Sequence, residues 1–398
     1  MHQNIQKIYD IANKPSRKIL GLMSGTSLDG LDIALCEIEN AGKETKVKLL
    51  HATTALYDNA FRAKLLPLFS TQMVSLEQLC LVHPWLGLQH AQMINKVLAQ
   101  WGIASKEIDL IASHGQTIYH APKSLQANDE FGSATLQIGE ADHIATHTGI
   151  ITISDFRQKH IAAGGEGAPL AVYGDYLMFA DKFENRLLLN IGGIANFTYL
   201  AANASMNQVI SSDTGPGNTI MDAYMREHFK ESFDKDGAIA KQGNINNDLL
   251  KALKANSFFN LKLPKTVGPE LFNLAYLKDA QVASSTLLID KADVLATLNR
   301  FTAETIVDAI KLDSQIVELD AMYISGGGLH NTILFQHLVE LMPSIKVVSF
   351  SALGMDPDAK EAVLFALLAN EAVAGTALQI GASSTKNPTT MGKISFPN

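Results

Sequence analysis

The sequence predicts a mixed α/β chain whose two domains are built on one repeated plan around a shared cleft. Three observations carry this reading. GLMSGTSLDGLDIAL (21–35) is an apolar strand, a polar turn holding glycine, and a second apolar strand. RLLLNIGGIANFTYLA (186–201) repeats that design around Asn190, Gly192, Gly193 and Asn196. Each hairpin has a later companion, DLIASHGQTIYH (109–120) and AMYISGGGLHN (321–331), in which one apolar strand runs into a glycine-containing polar turn. At 398 residues the chain is long for a single core, which agrees with two domains.

The first hairpin pairs strands near 18–23 and 31–38. Its tip offers the Thr26 and Ser27 hydroxyls, backbone amides and the Asp29 and Asp32 carboxylates. A plain hairpin needs only a short turn, so the tip is either an over-decorated turn or a phosphate cradle. His114 and His120 flank the next turn as polar loop residues, both candidates for touching substrate. His143 and His147 are four apart, a metal-ligand spacing on a helix, but no third ligand of matching pattern follows. DFRQKHIAAGGEGAPL (155–170) is charged and then glycine-rich, which suits a hinge or ligand loop. It puts the first boundary near Phe156, with domains at 1–156 plus 365–398 and at 157–364.

In the second half, SSDTGPGNTIMDAYM (211–225) sets Asp213 before Gly215, Pro216 and Gly217, with a helix starting near Asn218 and Ile220, Met221 and Tyr224 on its apolar face. Asp213 either caps the turn or serves as a carboxylate beside free helix N-terminal amides. A helix over 293–310 has Asp293 as candidate cap and Leu295, Leu298, Phe301, Thr305 and Ile306 on one face. The helical 361–375 returns the chain to the first domain. Its Glu361 is either an ordinary first-turn glutamate or a cleft carboxylate. Two such domains would enclose a cleft lined by glycine loops, which suits a nucleoside triphosphate.

Composition narrows the partners. Hydrophobic residues make up 47% and charged residues 18%, an ordinary globular balance. No apolar run is long enough to span a bilayer, and the N-terminal stretch lacks a signal-peptide pattern, so a cytoplasmic protein is expected. A net charge of −8 without a basic cluster argues against nucleic acid and anionic membrane. Two cysteines, Cys36 and Cys80, fit a reducing compartment and are expected to be buried packing residues. No P-loop or dinucleotide fingerprint is present.

GLMSGTSLDGLDIAL, SHGQTIYH, DFRQKHIAAGGEGAPL, LNIGGIANFTYL, DTGPGNTIMDAY, PKTVGPELFN and ISGGGLHN follow one another in an order that resembles the anhydro-N-acetylmuramic acid kinase family, from about residue 18 to the C-terminus. The resemblance implies the duplicated ribonuclease H-like fold of sugar kinases, actin and Hsp70 ATPase domains, with two domains around a nucleotide cleft. It also implies ATP and Mg²⁺, a homodimer, and opening of the 1,6-anhydro ring with phosphorylation of O6. By resemblance, Gly25, Thr26, Ser27, Leu28, Asp29, Gly30, Leu31 and Asp32 hold ATP phosphates, with Asp29 and Asp32 the candidate metal partners. Gly192, Gly193, Asn196, Gly326, Gly327 and Gly328 line the rest of the nucleotide site. Asp213 is the expected catalytic base and Glu361 a second catalytic carboxylate. His120, Arg157, Gly217 and Asn218 face the sugar. The sequence departs from the family's usual pattern at Gln158, Lys159, His160, Glu166, Val267 and Pro269. Other readings consistent with the same residues are a different sugar or acid kinase and an actin- or Hsp70-like nucleotide switch.

Overall fold

The computed structural model describes residues 2–398 except 26, 70, 72, 124–125, 127–129, 269, 315, 317 and 378–387. It divides into two compact units, residues 1–178 with 358–398, and residues 179–357.

The first unit holds strands β1 (Ser16–Ser24), β2 (Gly30–Glu39), β3 (Lys46–Leu56), β4 (Leu110–Ala121), β5 (Ala134–Ile138) and β6 (Thr152–Ser154), and the last strand of the chain, Lys393–Ser395. Its helices are α1 (Gln3–Ala12), α2 (Asn59–Leu65), α3 (Leu76–Trp101), α4 (Ala141–Thr148), α5 (Phe156–Ala162) and α6 (Ala171–Phe179), which ends at the boundary, and the long Lys360–Ala374 near the C-terminus. The second unit holds β7 (Arg186–Ile191), β8 (Ile194–Leu200), β9 (Ile210–Pro216), β10 (Ala321–Ser325) and β11 (Lys346–Ser349), with α7 (Thr219–His228), α8 (Asn247–Leu253), α9 (Leu274–Ala283), α10 (Lys291–Leu312) and α11 (Thr332–Leu341). The C-terminal helix and strand are then α12 and β12.

Both sheets follow one plan. In the first the order is β12-β6-β4-β1-β2-β3, with β5 paired to β4; in the second it is β11-β10-β7-β8-β9. Each opens with an antiparallel three-strand meander, β1–β2–β3 or β7–β8–β9. Each then adds parallel strands beside the first strand of the meander, β4 and β6 or β10 and β11. The repeated order of hairpin and single strand is therefore a duplication of the sheet itself.

The buried faces explain the pattern. Leu20, Leu22 and Ile111 pack with Leu86, Ile94 and Ile144 of α3 and α4. On the opposite face of β1, Gly21 meets α12 so closely that a Cβ would overlap the Ala362 carbonyl oxygen. In the second unit Leu187, Leu189 and Ile191 pack on Ile306 and Ile310 of α10 and on Leu334 and Leu338 of α11.

Several expectations are corrected. The units divide at 178/179 and 357/358, not at 156/157 and 364/365, because 157–178 and 358–364 pack on the first sheet: Arg157 bonds to His114, and a Cβ on Gly174 would crowd Leu364. The segment 155–170 carries α5 and belongs to the first unit. The turn expected after 113 is strand, since β4 runs on to Ala121 through Gly115 at φ +74. The cap of α10 is Asp290, whose side chain accepts from Ala292 N–H, not Asp293. Cys80 is exposed, while Cys36 is buried. The N-terminal stretch, which lacks a signal-peptide pattern, forms α1.

Candidate active site

The tip between β1 and β2 is tied down from within. Leu28 turns the chain at φ +54, donates its N–H to the Gly25 carbonyl at 3.4 Å, and buries its side chain. A buried leucine in the left-handed region is an uncommon, costly choice that fixes the backbone around it. Ser27 Oγ donates to Asp29 Oδ1 at 2.7 Å, Tyr57 N–H donates to the Asp29 carbonyl at 2.9 Å, and Thr54 Oγ1 donates to Asp32 Oδ1 at 2.5 Å. Gly25 has open space: a Cβ there would meet only Ser27 Oγ, at 3.6 Å. Packing therefore does not require a glycine there, and the position leaves room for close approach to the backbone. Gly30 differs, since a Cβ would lie 2.7 Å from Thr54 Cγ2 of β3. Leu31 is buried core, so only its backbone faces outward chemistry. Thr26 lies outside the described residues.

Glu361 opens α12, whose close contact with Gly21 fixes its place over β1; Lys360 beside it pairs with the buried Asp175 at 2.6 Å. Partial desolvation and then the Asp32 carboxylate push the Glu361 pKa above its ordinary 4.5, against the pull of Lys360 and Arg157. Arg157 donates from Nε to His114 Nε2 at 3.0 Å and from Nη1 to the Gly167 carbonyl at 2.7 Å. Burial, then the Arg157 charge, holds His114 neutral with a pKa of about 3. His120 is exposed on β4 opposite Thr135 of β5, and partial burial followed by Arg157 lowers its pKa. The structure thus gathers Asp32, Glu361, Arg157 and His114 within the first unit. The departures at 158–160 have local roles: Gln158 donates to the Thr135 carbonyl at 2.8 Å, Lys159 is exposed, and His160 Nδ1 accepts the Gly167 N–H at 2.9 Å.

In the second unit the glycine turns converge. Asn218 N–H donates to the Gly192 carbonyl at 2.8 Å, Gly217 N–H to the Gly193 carbonyl at 2.8 Å, and Thr219 N–H to the Gly193 carbonyl at 3.1 Å. These amides are spent inside the unit, so of the donors at the start of α7 those of Asn218 and Thr219 are not free. Asn218 contributes its side chain instead, and that donates to the Ile191 carbonyl at 3.3 Å. Gly326, at φ +81, closes on the same hairpin, where a Cβ would lie 2.7 Å from Asn190 Oδ1; Gly327 lies beside Asn218 and Gly328 against Ile191.

Asp213 stands on β9 opposite Asn196 of β8. Its backbone N–H donates to the Lys265 carbonyl at 3.0 Å and its Oδ2 accepts from Val267 N–H at 2.9 Å, while Oδ1 has no hydrogen-bond partner among the described residues. Burial raises its pKa above the ordinary 3.8, partly offset by Val267. A half-buried carboxylate with one oxygen anchored and the other available is suited to accepting a proton.

No group of three or more His, Cys, Asp or Glu side chains able to hold a metal ion occurs among the described residues. Asp29 and Asp32 fit a Mg²⁺ held by one or two carboxylates, waters and phosphate oxygens: both are hard oxygen donors at one hairpin, and the negative charge of Asp32 is felt at Glu361.

The duplicated sheet and the glycine hairpins on it define the ribonuclease H-like class that includes sugar kinases, actin and Hsp70 ATPase domains. Within that class the chain belongs to the anhydro-N-acetylmuramic acid kinase family, whose profile matches residues 17–397. An anhydro-N-acetylmuramic acid kinase of Pseudoalteromonas atlantica is 54% identical over 401 residues, and one of Pseudoalteromonas translucida is 55% identical over 399, with all of both chains covered in each case. One of Caldanaerobacter subterraneus is 40% identical, covering 98% of this chain and 100% of its own.

Sequence reasoning missed Gln116, whose Nε2 donates to the Gly25 carbonyl at 3.1 Å, although it stands inside the quoted SHGQTIYH. It also missed the Val267 N–H, a backbone group that no residue identity announces.

Proposed function

We propose that the chain is an ATP-dependent kinase that opens the 1,6-anhydro ring of anhydro-N-acetylmuramic acid with water and phosphorylates O6, giving N-acetylmuramic acid 6-phosphate and ADP in peptidoglycan recycling. Family membership over residues 17–397 supports the reaction class. The observation that carries the mechanism is Asp213, anchored by Val267 at one oxygen and open at the other.

In this reading Asp213 orients water and takes its proton as the water oxygen bonds C1 and the C1–O6 bond breaks. O6 attacks the γ-phosphorus, the bond to the β-phosphate oxygen breaks, and ADP leaves. An inverting glycosidase needs a second, protonated carboxyl for the leaving oxygen; here phosphoryl capture of O6 takes that task, so one base suffices. The hairpin 25–32 presents backbone amides and hydroxyls to the phosphates. Asp29 and Asp32 would hold Mg²⁺, which neutralises charge on the phosphate oxygens. The glycine turns at 192–193 and 326–328, with Asn196, line the nucleotide side. Arg157 and His120, with Gly217 and Asn218, bind the sugar, and Glu361 orients it near the reacting bond. The enzyme works in the cytoplasm, in keeping with its use of ATP and its two free cysteines. It is a homodimer, which light scattering on the purified protein tests.

Reaction in ¹⁸O-labelled water tests the mechanism. The label is expected at C1, read promptly because the free hemiacetal exchanges oxygen, with the original bridging oxygen now bound to phosphorus. Label in the phosphate ester oxygen would overturn it and point to another nucleophile.

A further inference from the structure

Beneath the hairpin tip runs a line of polar side chains buried in the first unit. Gln116 donates from Nε2 to the Gly25 carbonyl at 3.1 Å and to the Thr117 carbonyl at 3.2 Å, so its Oε1 faces the other way. Ser24 Oγ donates to that Oε1 at 2.5 Å. Ser24 has one proton to give, so its 3.0 Å contact with Tyr57 must be donated by the tyrosine hydroxyl. Tyr57 has then spent its own proton, and its 2.8 Å contact with His90 Nε2 must be donated by the histidine. His90 is 0% exposed. Burial lowers its pKa to about 3, so the ring is neutral. It carries its proton on Nε2, and Nδ1 has no partner. Every donor direction is thereby fixed, from His90 to the Gly25 carbonyl.

Packing alone does not call for this arrangement. Ser24, His90 and Gln116 are each at most 1% exposed, among leucine and isoleucine side chains that would fill such space without polar atoms. Burying polar groups is costly unless they are bonded, and a hydrogen-bonded chain of them, complete here but for His90 Nδ1, rigidifies what it touches. What this one touches is the peptide group that follows β1, at the tip.

We infer that His90, Tyr57, Ser24 and Gln116 form a positioning relay that fixes the Gly25 carbonyl and so holds the hairpin in the conformation that accepts ATP phosphates. The inference rests on the reading of 25–32 as the phosphate hairpin. It makes Gln116 and Tyr57 positioning residues for ATP with no part in sugar binding or ring opening.

The test compares Tyr57→Phe, Gln116→Met, His90→Leu and His90→Gln with Gly25→Val, measuring kcat, KM for ATP and KM for the anhydro sugar, with thermal unfolding as a folding check. Losing one net hydrogen bond is worth about 3- to 10-fold. Tyr57→Phe and Gln116→Met should therefore raise KM for ATP by about that factor, with KM for sugar unchanged. His90→Leu should do the same, and His90→Gln, whose amide can donate where Nε2–H did, should restore most of the loss. A merely structural role would lower kcat through the active fraction and leave both KM values alone; that outcome overturns the relay. If Gly25→Val raises KM for ATP while the relay variants do not, the relay fails and the phosphate hairpin stands. If folded Gly25→Val leaves KM for ATP unchanged, the hairpin reading itself fails.

Discussion

Val267 holds one oxygen of Asp213 through its N–H, and burial raises the pKa of the carboxyl. Burial makes the carboxylate keener for a proton than an ordinary aspartate, while the Val267 N–H, which favours the ionised form, offsets part of that. Asp213→Asn keeps the size and loses the acceptor, so turnover is expected to fall ~10²- to 10⁴-fold with ATP binding retained. Steady-state kinetics alongside nucleotide titration check this. Because the ionised form is the active one, kcat/KM of the native enzyme should fall as pH drops through the raised pKa, on an acid limb above 3.8. Asp213 itself stood out in the sequence, next to a Gly-Pro-Gly turn, but its partner did not, since any residue supplies an N–H. The Asn218 and Thr219 amides were hidden for a related reason: a helix start advertises free donors, and only the fold reveals that the Gly192 and Gly193 carbonyls take these two.

Strands and helices were more legible where the period was unbroken. Leu295, Leu298, Phe301, Thr305 and Ile306 are all buried, as the spacing on α10 requires. Gly115 misled because glycine in a polar run signals a turn, whereas here φ +74 sits within a continuing strand and β5 pairs alongside. The seat of α12 on β1 gave no signal either, because Gly21 reads simply as part of a strand. It is nevertheless a firm constraint, since a Cβ would run into backbone rather than a movable side chain. Gly21→Ala is expected to cost ~3 kcal/mol by pushing α12 outward, the upper range of overpacking. Denaturant unfolding measures that loss, and because Glu361 rides on α12, kcat should fall with it. A variant as stable and active as the parent would show that the helix yields freely.

Duplication was the most readable property of the whole molecule, because each half spells out its meander and its parallel strand in the same order. The boundary was not readable: 155–170 looks like a hinge, and only its contacts with β4 and β5 assign it to the first unit. Two histidines of that unit contribute to its response to acid. His90 and His114 are fully buried, each with a pKa near 3 in the fold, while the unfolded chain binds a proton near 6.5. Between those values the unfolded state carries more protons, so stability rises with pH and is lost as pH falls from about 6.5 toward 3. Each histidine contributes a slope approaching ~1.4 kcal/mol per pH unit. Urea unfolding at pH 7, 6 and 5 should show the decline, and His90→Gln should remove one histidine's share; a pH-independent midpoint would contradict the neutral buried state of both rings.

The fate of the two thiols has a practical side. Cys36 lies in β2 at 0% exposure with its pKa pushed up to about 12, while Cys80 is exposed on α3. Thiolate is the reactive form, so a maleimide dye should attach once per folded chain, at Cys80, without any cysteine being engineered away. Adding Leu288→Cys, at a side chain 99% exposed in the second unit, would supply a second attachment point. Energy transfer between the two dyes would then follow the separation of the units, molecule by molecule, as ATP and sugar come and go.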